Sequence, residues 1–162
     1  MWLYAILAAV ALQRLAELFL AQRNTRRLLA LGAMEIGRRH YPLIVLLHAA
    51  WLVALAVVVP TDTTPNPMFL VIFVALQGAR VWVLVILGER WTTRIIVLPG
   101  ASLVRQGPYR WLRHPNYWIV SAEIAVLPLV FDAPVLALIF FLLNAVVLRH
   151  RVRVENQALG YA

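Results

Sequence analysis

The sequence has no cysteine and no lysine, and only 7 of its 162 residues are acidic. The absence of cysteine excludes disulfides, thiolate metal ligands, thiol nucleophiles and palmitoylation. Charged residues make up 14% of the chain and apolar or aromatic residues 63%, whereas a typical soluble domain has roughly 25% and 45–50% of these classes. A water-soluble monomer of this composition would expose too much apolar surface, so we exclude that class of protein.

Long apolar runs dominate the sequence and predict membrane-spanning helices. The first three runs hold about 20 residues each, which at ~1.5 Å per residue matches the ~30 Å hydrocarbon core of a bilayer. The last two runs hold about 15 residues each, so the final helix spans only if it continues into the polar tail or if the bilayer thins locally. The predicted spans are residues 2–21, 41–60, 67–88, 117–131 and 134–148.

A short turn separates the last two spans. We expect Asp132 to cap the final helix, because an aspartate side chain accepts hydrogen bonds from the first backbone N–H groups, and Pro134 is tolerated in a first helical turn.

The sequence therefore predicts an all-α, polytopic membrane protein that forms a single domain over residues 1–162. An arginine-rich loop at residues 89–116 and a polar tail at residues 149–162 lie outside the spans.

The basic residues are distributed unevenly, and their positions predict the orientation of the chain. Five arginines fall in residues 22–40, including Arg39, five in the arginine-rich loop and three in the tail. The positive-inside rule places these three segments in the cytoplasm, with the N-terminus outside. The net charge of +8 then reflects topology and attraction to anionic membrane lipids. We expect a protein of the bacterial inner membrane with no nucleic-acid partner.

Several polar residues lie inside the apolar runs, where an ionisable group costs a few kcal/mol unless it is paired or hydrated. We expect Arg14 to pair with Glu17, three residues away on one helix. A second pair is expected between helices, from Arg80 to Glu123. His48 and Asn144 are expected to form hydrogen bonds between helices. The set comprises Arg14, Glu17, His48, Gln77, Arg80, Glu123 and Asn144.

The arginine-rich loop contains the strongest indication of a binding site. Its Pro-Gly and Gly-Pro dipeptides predict two tight turns, and Pro115 favours an extended backbone at His114. Tyr109, His114, Asn116 and Tyr117 cluster where the fourth span begins, and the N-terminal N–H groups of that helix can hold a carboxylate. Such a cluster suits a small zwitterion with a flat ring. The alternative is an interfacial belt of arginine and aromatic side chains.

The tail contains a second candidate pair. Arg151 and Glu155 are four residues apart and share a helix face, but in the order that is less favourable for a simple surface pair. The neighbouring Arg149 and Arg153 can alternatively serve as membrane anchors.

These residues give the chain its resemblance to a known family. The stretch LVRQGPYRWLRHPNY at residues 103–117 carries a G-x-Y…R-H-P-x-Y pattern, and an apolar hairpin and Arg151-x-x-x-Glu155 follow it. In these features the chain resembles the isoprenylcysteine carboxyl methyltransferase (ICMT) family of integral membrane methyltransferases, over residues 89–156. The resemblance implies an S-adenosylmethionine site that is enclosed by the loop and the tail, and it implies no metal.

The resemblance also implies roles for individual residues. Glu155 would bind a polar group of the cofactor, such as the ammonium, and Arg151 would face the methyl acceptor. His114, Arg151 and Glu155 are the catalytic candidates. The family commonly has a second acidic residue where this chain has Asn156. The implied cofactor contacts are Arg94, Leu103, Val104, Tyr109, His114, Asn116, Tyr117 and Glu155.

The predicted activity is methylation of a lipophilic acceptor that reaches the site from the bilayer. A carboxylate acceptor, as in a prenylcysteine, is already a nucleophile, and Arg151 need only orient it. A hydroxyl acceptor, as in a long-chain alkylresorcinol or alkylpyrone, needs a base, for which His114 or Glu155 is the candidate. Two other classes stay open: an NADPH-dependent membrane reductase similar to sterol reductases, and a non-catalytic membrane partner protein.

Overall fold

Five helices form most of the protein. The computed structural model describes residues 1–38 and 41–160, so Arg39 lies outside the described residues. Within these described residues, two short strands and two 3-10 turns, at Gly88–Arg90 and Gly107–Arg110, connect the helices. The helices are α1 (Trp2–Ala30), α2 (Tyr41–Val58), α3 (Pro67–Leu87), α4 (Pro115–Val130) and α5 (Pro134–Leu159), and the strands are β1 (Met34–Ile36) and β2 (Ile95–Val97).

The helices confirm the prediction of an all-α integral membrane protein. Helices α1, α2, α3 and α5 are long and apolar enough to cross a bilayer, and α4 is a shorter apolar helix of 16 residues. Two helices extend far beyond the predicted spans, since α1 continues to Ala30 and α5 to Leu159, and α4 begins two residues early, at Pro115. The tail after Leu148 therefore extends the final helix, which is the first of the two ways in which the short predicted span could cross the bilayer.

Helix α4 lies between α3 and α5, and α5 also contacts α2. A large apolar core includes Leu3, Trp51, Leu55 and Leu127, each almost completely buried. Many other apolar side chains face outward, as expected for helices that contact lipid.

The turn between α4 and α5 differs from the prediction. Asp132 has a φ of +54°, in the left-handed region that aspartate tolerates better than most residues. Helix α5 begins after Ala133, and no side chain caps it. The expected cap by Asp132 is wrong, because the reversal of the chain occupies that position. A side-chain cap does occur on α3, where Asn66 Oδ1 accepts a hydrogen bond from the Met68 amide at 3.0 Å.

A two-stranded ribbon joins the two segments that the sequence predicted as loops. β1 and β2 are antiparallel, with Glu35 opposite Ile96. Asn24, on the extension of α1, donates hydrogen bonds to the carbonyls of Trp91 at 2.9 Å and Gly88 at 3.1 Å. The ribbon also contacts α5. These contacts fix the arginine-rich loop over one end of the helix bundle.

Candidate functional site

A cavity of about 710 Å³ extends from the arginine-rich loop into the helix bundle. Its volume lies within the ~300–1,000 Å³ range of small-molecule sites. One part, the loop arm, is lined by Tyr109, His114, Asn116, Tyr117, Arg151 and Glu155. The other part, the membrane arm, is lined by side chains of α1 and α2, including Arg14, Leu15, Leu18, Ile44, His48 and Leu52. The cavity thus joins the polar loop arm to a membrane arm whose lining is mostly apolar but includes Arg14 and His48.

Four side chains of the loop arm form a connected group, the loop cluster: His114, Tyr117, Arg151 and Glu155. Arg151 Nε donates a hydrogen bond to Tyr117 Oη at 2.6 Å, and Tyr117 Oη donates in turn to the Glu155 carboxylate. The imidazole of His114 stacks on the Tyr117 ring, with 5.3 Å between the ring centroids. The tyrosine hydroxyl therefore separates the guanidinium of Arg151 from the carboxylate of Glu155.

The histidine of the loop cluster has contacts at both ring nitrogens. Nδ1 lies 3.6 Å from Glu155 Oε1, and Nε2 donates a hydrogen bond to Asn156 Oδ1 at 2.7 Å. Burial lowers the pKa of His114, but the contacts with Glu155 and Asn156 outweigh burial and raise that pKa above its ordinary value of 6.5. Asn156, which replaces the second acidic residue of the family pattern, thus holds the imidazole.

Glu155 is held as a carboxylate. Burial raises the pKa of Glu155, yet the hydrogen bonds from His114 and Tyr117 outweigh burial and hold that pKa below 4.5. Arg151 is fixed from the other side, because its Nη2 donates to the Thr93 carbonyl at 2.8 Å. The ribbon segment, α4 and α5 therefore converge on one charged site.

The remaining predicted contact residues also line the cavity. Leu103 and Val104 contribute apolar surface, and Tyr109 an aromatic ring. The Asn116 Oδ1 atom is buried and has no hydrogen-bond partner within residues 1–38 and 41–160. Gly107 lets this loop approach α3, because a Cβ at this position would lie 2.9 Å from Ile86 Cγ1.

Arg94 is bound to the ribbon. Its Nη1 donates to both carboxylate oxygens of Glu35, at 3.2 and 3.1 Å, and its guanidinium lies 5.0 Å from the centroid of the Tyr41 ring. The side chain lines the cavity as well. A cofactor contact by Arg94 would thus share the guanidinium with Glu35.

A second charged group, the membrane cluster, consists of Arg14, Glu17, Arg80 and Glu123. The two expected pairs are confirmed: Arg14 and Glu17 are 3.2 Å apart, and Arg80 and Glu123 are 3.1 Å apart. Two further contacts close the group, from Arg80 to Glu17 at 2.5 Å and from Arg14 to Glu123 at 2.6 Å. Each guanidinium therefore contacts both carboxylates.

The two polar residues expected to bond between helices behave differently. Asn144 Nδ2, on α5, donates to Ser121 Oγ on α4 at 3.1 Å, which confirms the expectation. The expectation for His48 is wrong, because Nδ1 bonds to the Ile44 carbonyl of the same helix at 2.8 Å. An imidazole four residues after a carbonyl on a helix can reach that carbonyl locally.

Three residues contribute to the site in ways that the sequence does not predict. Thr93 acts through its carbonyl, which no side-chain pattern reports. Asn156 stood out only as a departure from the family pattern. His48 stood out only as a polar residue in a span, and its position on the cavity depends on helix packing.

Fold and site together define an integral membrane protein with a cavity of small-molecule size at the junction of its arginine-rich loop and helix bundle. Residues 69–161 match the isoprenylcysteine carboxyl methyltransferase (ICMT) family. The chain belongs to this family of methyltransferases, as the motifs of the loop and tail indicated. The match favours a methyltransferase over a reductase or a non-catalytic partner protein.

The similar proteins are bacterial. An uncharacterized protein, YpbQ of Bacillus subtilis (strain 168), is 38% identical over 162 residues, which cover 98% of this chain and 95% of that protein. An uncharacterized protein of Haemophilus influenzae is 25% identical over 159 residues, covering 95% of this chain and 92% of that protein. No solved structure matches the chain significantly.

Proposed function

We propose that this protein is an S-adenosylmethionine-dependent methyltransferase that methylates a carboxylate or hydroxyl oxygen of a lipophilic acceptor dissolved in the membrane. The supporting observation is the continuity of the cavity, which is lined by the loop cluster and by the apolar side chains of α1 and α2. A polar cofactor and an apolar acceptor can therefore meet in one space. Membership of the ICMT family supports the same reaction class.

The loop arm fits the cofactor chemically. The carboxylate of Glu155 suits the ammonium group of the cofactor, and the N-terminal N–H groups of α4 suit the carboxylate group of the cofactor. The partnerless Oδ1 of Asn116 offers a further acceptor. Leu103, Val104 and the rings of Tyr109 and Tyr117 line the same space and suit the nucleoside. His114 holds Glu155 in place, and Arg94 closes the ribbon side.

When bound, S-adenosylmethionine supplies a methyl group on a positively charged sulfur. Because displacement at such a centre needs the acceptor oxygen in line, the protein contributes chiefly by positioning. Arg151 is held by Tyr117 and Thr93 and so presents a fixed cation beside the reaction space. A carboxylate acceptor can be oriented there directly. A hydroxyl acceptor must also lose its proton.

The acceptor enters from the bilayer through the membrane arm. The apolar side chains that line the membrane arm suit a long hydrocarbon chain, as in a prenylcysteine, an alkylresorcinol or an alkylpyrone. The arginines of the loop and tail support a location in the bacterial inner membrane with a cytoplasmic C-terminus and contacts to anionic lipids. Residues 1–162 would act as one domain.

Cofactor binding tests the proposal first. The purified protein in lipid nanodiscs is heated with S-adenosylhomocysteine or with NADPH. We expect only S-adenosylhomocysteine to raise the midpoint of thermal unfolding, because a ligand that binds the folded state stabilises it. Stabilisation by NADPH alone would contradict the proposal and favour a reductase. No stabilisation by either ligand, with another chain co-purifying, would favour a partner protein.

A further inference from the structure

Arg151 is anchored at two of its three guanidinium nitrogens. Nε donates a hydrogen bond to Tyr117 Oη at 2.6 Å, and Nη2 donates to the Thr93 carbonyl at 2.8 Å. Nη1 has no hydrogen-bond partner among residues 1–38 and 41–160, while the side chain lines the cavity. Because a guanidinium is a rigid plane, its two anchors determine where Nη1 lies. The group that is left for a ligand therefore depends on both anchors.

The two anchors are held in different ways. Tyr117 lies on α4, and its hydroxyl also bonds to Glu155. Thr93 lies in the irregular segment between the 3-10 turn Gly88–Arg90 and β2. The hydrogen bonds of a helix or a sheet fix a carbonyl in regular structure, whereas a carbonyl in an irregular segment is fixed by the side chains that hold its peptide unit. The direction of the Thr93 carbonyl thus depends on side-chain contacts.

Tyr41, the first residue of α2, supplies these contacts. Its Oη lies 3.1 Å from Thr93 Oγ1, and the centroid of its ring lies 5.0 Å from the Arg94 guanidinium. Glu35 pairs with the same guanidinium at 3.1 Å. The carbonyl of Thr93 belongs to the peptide unit that joins Thr93 to Arg94. Tyr41 therefore contacts both residues of the peptide unit on which Arg151 is anchored.

Other contacts hold the rest of the segment. Asn24 donates to the Trp91 carbonyl at 2.9 Å, and Thr92 Oγ1 donates to the Arg94 carbonyl at 2.8 Å. Trp91 is also almost completely buried. Because these contacts do not involve Tyr41, removal of its hydroxyl should leave the segment in place. The change should be confined to the peptide unit that holds the guanidinium.

Tyr41 also begins the helix that lines the membrane arm at Ile44 and His48. On the basis of the proposed methyltransferase function, we infer that Tyr41 is a positioning residue, whose hydroxyl holds Thr93 so that Arg151 Nη1 meets the polar end of the methyl acceptor in a fixed direction. A displaced cation lowers the rate of an in-line transfer more than it lowers binding, because the reaction requires alignment. The hydroxyl pair thus joins the wall of the membrane arm to the cation at its end.

Nitrogen-15 NMR of the arginine side chains tests this role without cofactor. The protein carries nitrogen-15 arginine in nanodiscs, and the Nε–H signal of Arg151 is the one that Arg151→Lys removes. We expect Tyr41→Phe, which keeps the ring beside Arg94, to speed solvent exchange of this N–H by about two- to tenfold, the factor of a weakened hydrogen bond. Thr93→Val, which removes the other hydroxyl of the pair, should have the same effect.

Two variants serve as controls. Thr93→Ser keeps a hydroxyl at the same position and should exchange like the wild type. Tyr4→Phe also removes a tyrosine hydroxyl that joins α1 to α2, through the Ala56 carbonyl at 3.4 Å, but it lies outside the cavity lining and should leave the exchange unchanged. Equal exchange in wild type and Tyr41→Phe, or faster exchange in Tyr4→Phe as well, would overturn the inference. If Tyr41→Phe does not fold, the comparison of Thr93→Val with Thr93→Ser decides.

Methyl transfer separates positioning from binding. With labelled S-adenosylmethionine and a bacterial lipid extract, Tyr41→Phe should lower the maximal rate by about three- to tenfold and change the KM for S-adenosylmethionine by less than about twofold. The double variant of Tyr41→Phe with Thr93→Val should be no slower than either single variant, because both hydroxyls belong to one contact. Effects that multiply, or a raised KM with an unchanged maximal rate, would contradict a positioning role.

The positioning role and the methyltransferase function fail separately. If the Arg151 signal responds to Tyr41→Phe but the wild type transfers no label, then the methyltransferase function is wrong and the hold of Tyr41 on Arg151 stands. If the wild type transfers label and Tyr41→Phe changes neither the signal nor the rate, only the role of Tyr41 is wrong.

Discussion

The membrane cluster and the loop cluster use the same two charged residue types and connect them differently. In the membrane cluster, each guanidinium binds both carboxylates directly. In the loop cluster, the hydroxyl of Tyr117 stands between Arg151 and Glu155. The first arrangement satisfies its charges inside the protein. In the second arrangement, the carboxylate of Glu155 contacts the neutral hydroxyl of Tyr117 and the titratable imidazole of His114. A cationic group of a ligand can replace these partners.

Breaking the membrane cluster should have the largest effect on stability. Arg80→Met leaves two buried carboxylates with one cation, and we expect a loss of about 3–5 kcal/mol in the free energy of unfolding. Denaturant titration of the protein in mild detergent measures this loss. The double variant Arg80→Met with Glu123→Gln removes one charge of each sign and should recover a large part of the lost free energy of unfolding. Wild-type stability in Arg80→Met would show that the cluster does not stabilise the fold.

Removing the charge of Glu155 should affect binding more than stability. Glu155→Gln keeps the shape of the side chain but loses the charge-assisted contact with an ammonium, so we expect a roughly ten- to hundredfold weaker affinity for S-adenosylhomocysteine. Isothermal titration in nanodiscs gives the constants. Glu89→Gln is the control, because Glu89 forms an exposed pair with Arg27 outside the cavity. Equal affinities in the two variants would remove Glu155 from the cofactor site.

The pH dependence of stability should report the pair between His114 and Glu155. Because the pKa of His114 is raised in the folded protein, its protonation stabilises the fold fully below pH 6.5, and this contribution disappears as the pH rises through the folded-state pKa. At pH 6, the free energy of unfolding of the wild type should exceed that of His114→Gln by about 1 kcal/mol or less. The difference should shrink toward pH 9. Arg113, which opposes protonation of His114, stays charged over this range. A difference that grows with pH would contradict the assigned pair.

The smallest effect is expected for Arg94. Its guanidinium is a third exposed and already paired with Glu35, so Arg94→Gln should change the free energy of unfolding by about 0.5 kcal/mol. The affinity for S-adenosylhomocysteine should fall by no more than about threefold. Glu35→Gln, which removes the partner of Arg94, is measured as the control. A fall in affinity of more than about threefold in Arg94→Gln but not in Glu35→Gln would show that Arg94 contacts the cofactor directly.

The sequence predicted the parts of the molecule that depend on local composition. The apolar runs located all five helices, and the spacing of Arg14 and Glu17 predicted their contact. The motif at residues 103–117 located the loop side of the cavity. These features are visible because hydrophobicity, helical spacing and a family pattern are properties of short stretches of chain.

The parts that the sequence missed depend on contacts between distant segments. The strands of the ribbon have three residues each, too few to show an alternating pattern, and the contacts of the loop with Asn24 and of the ribbon with α5 join segments that are distant in the sequence. The extensions of α1 and α5 are rich in arginine, and their charge predicts a loop and a tail, although arginine favours helices. The connection of the membrane arm to the loop arm required the packing of all these elements.

Transfer of a labelled methyl group is the direct test of a methyltransferase that binds its cofactor at Glu155. Wild type, Glu155→Gln and Glu89→Gln are incubated in nanodiscs with S-adenosylmethionine labelled in the methyl group and with 5-pentadecylresorcinol or a bacterial lipid extract. The label is then counted in the organic phase. We expect label in a lipid product with wild type and Glu89→Gln and a loss of at least tenfold with Glu155→Gln. Absence of label with every acceptor, or equal transfer by all three proteins, would contradict it.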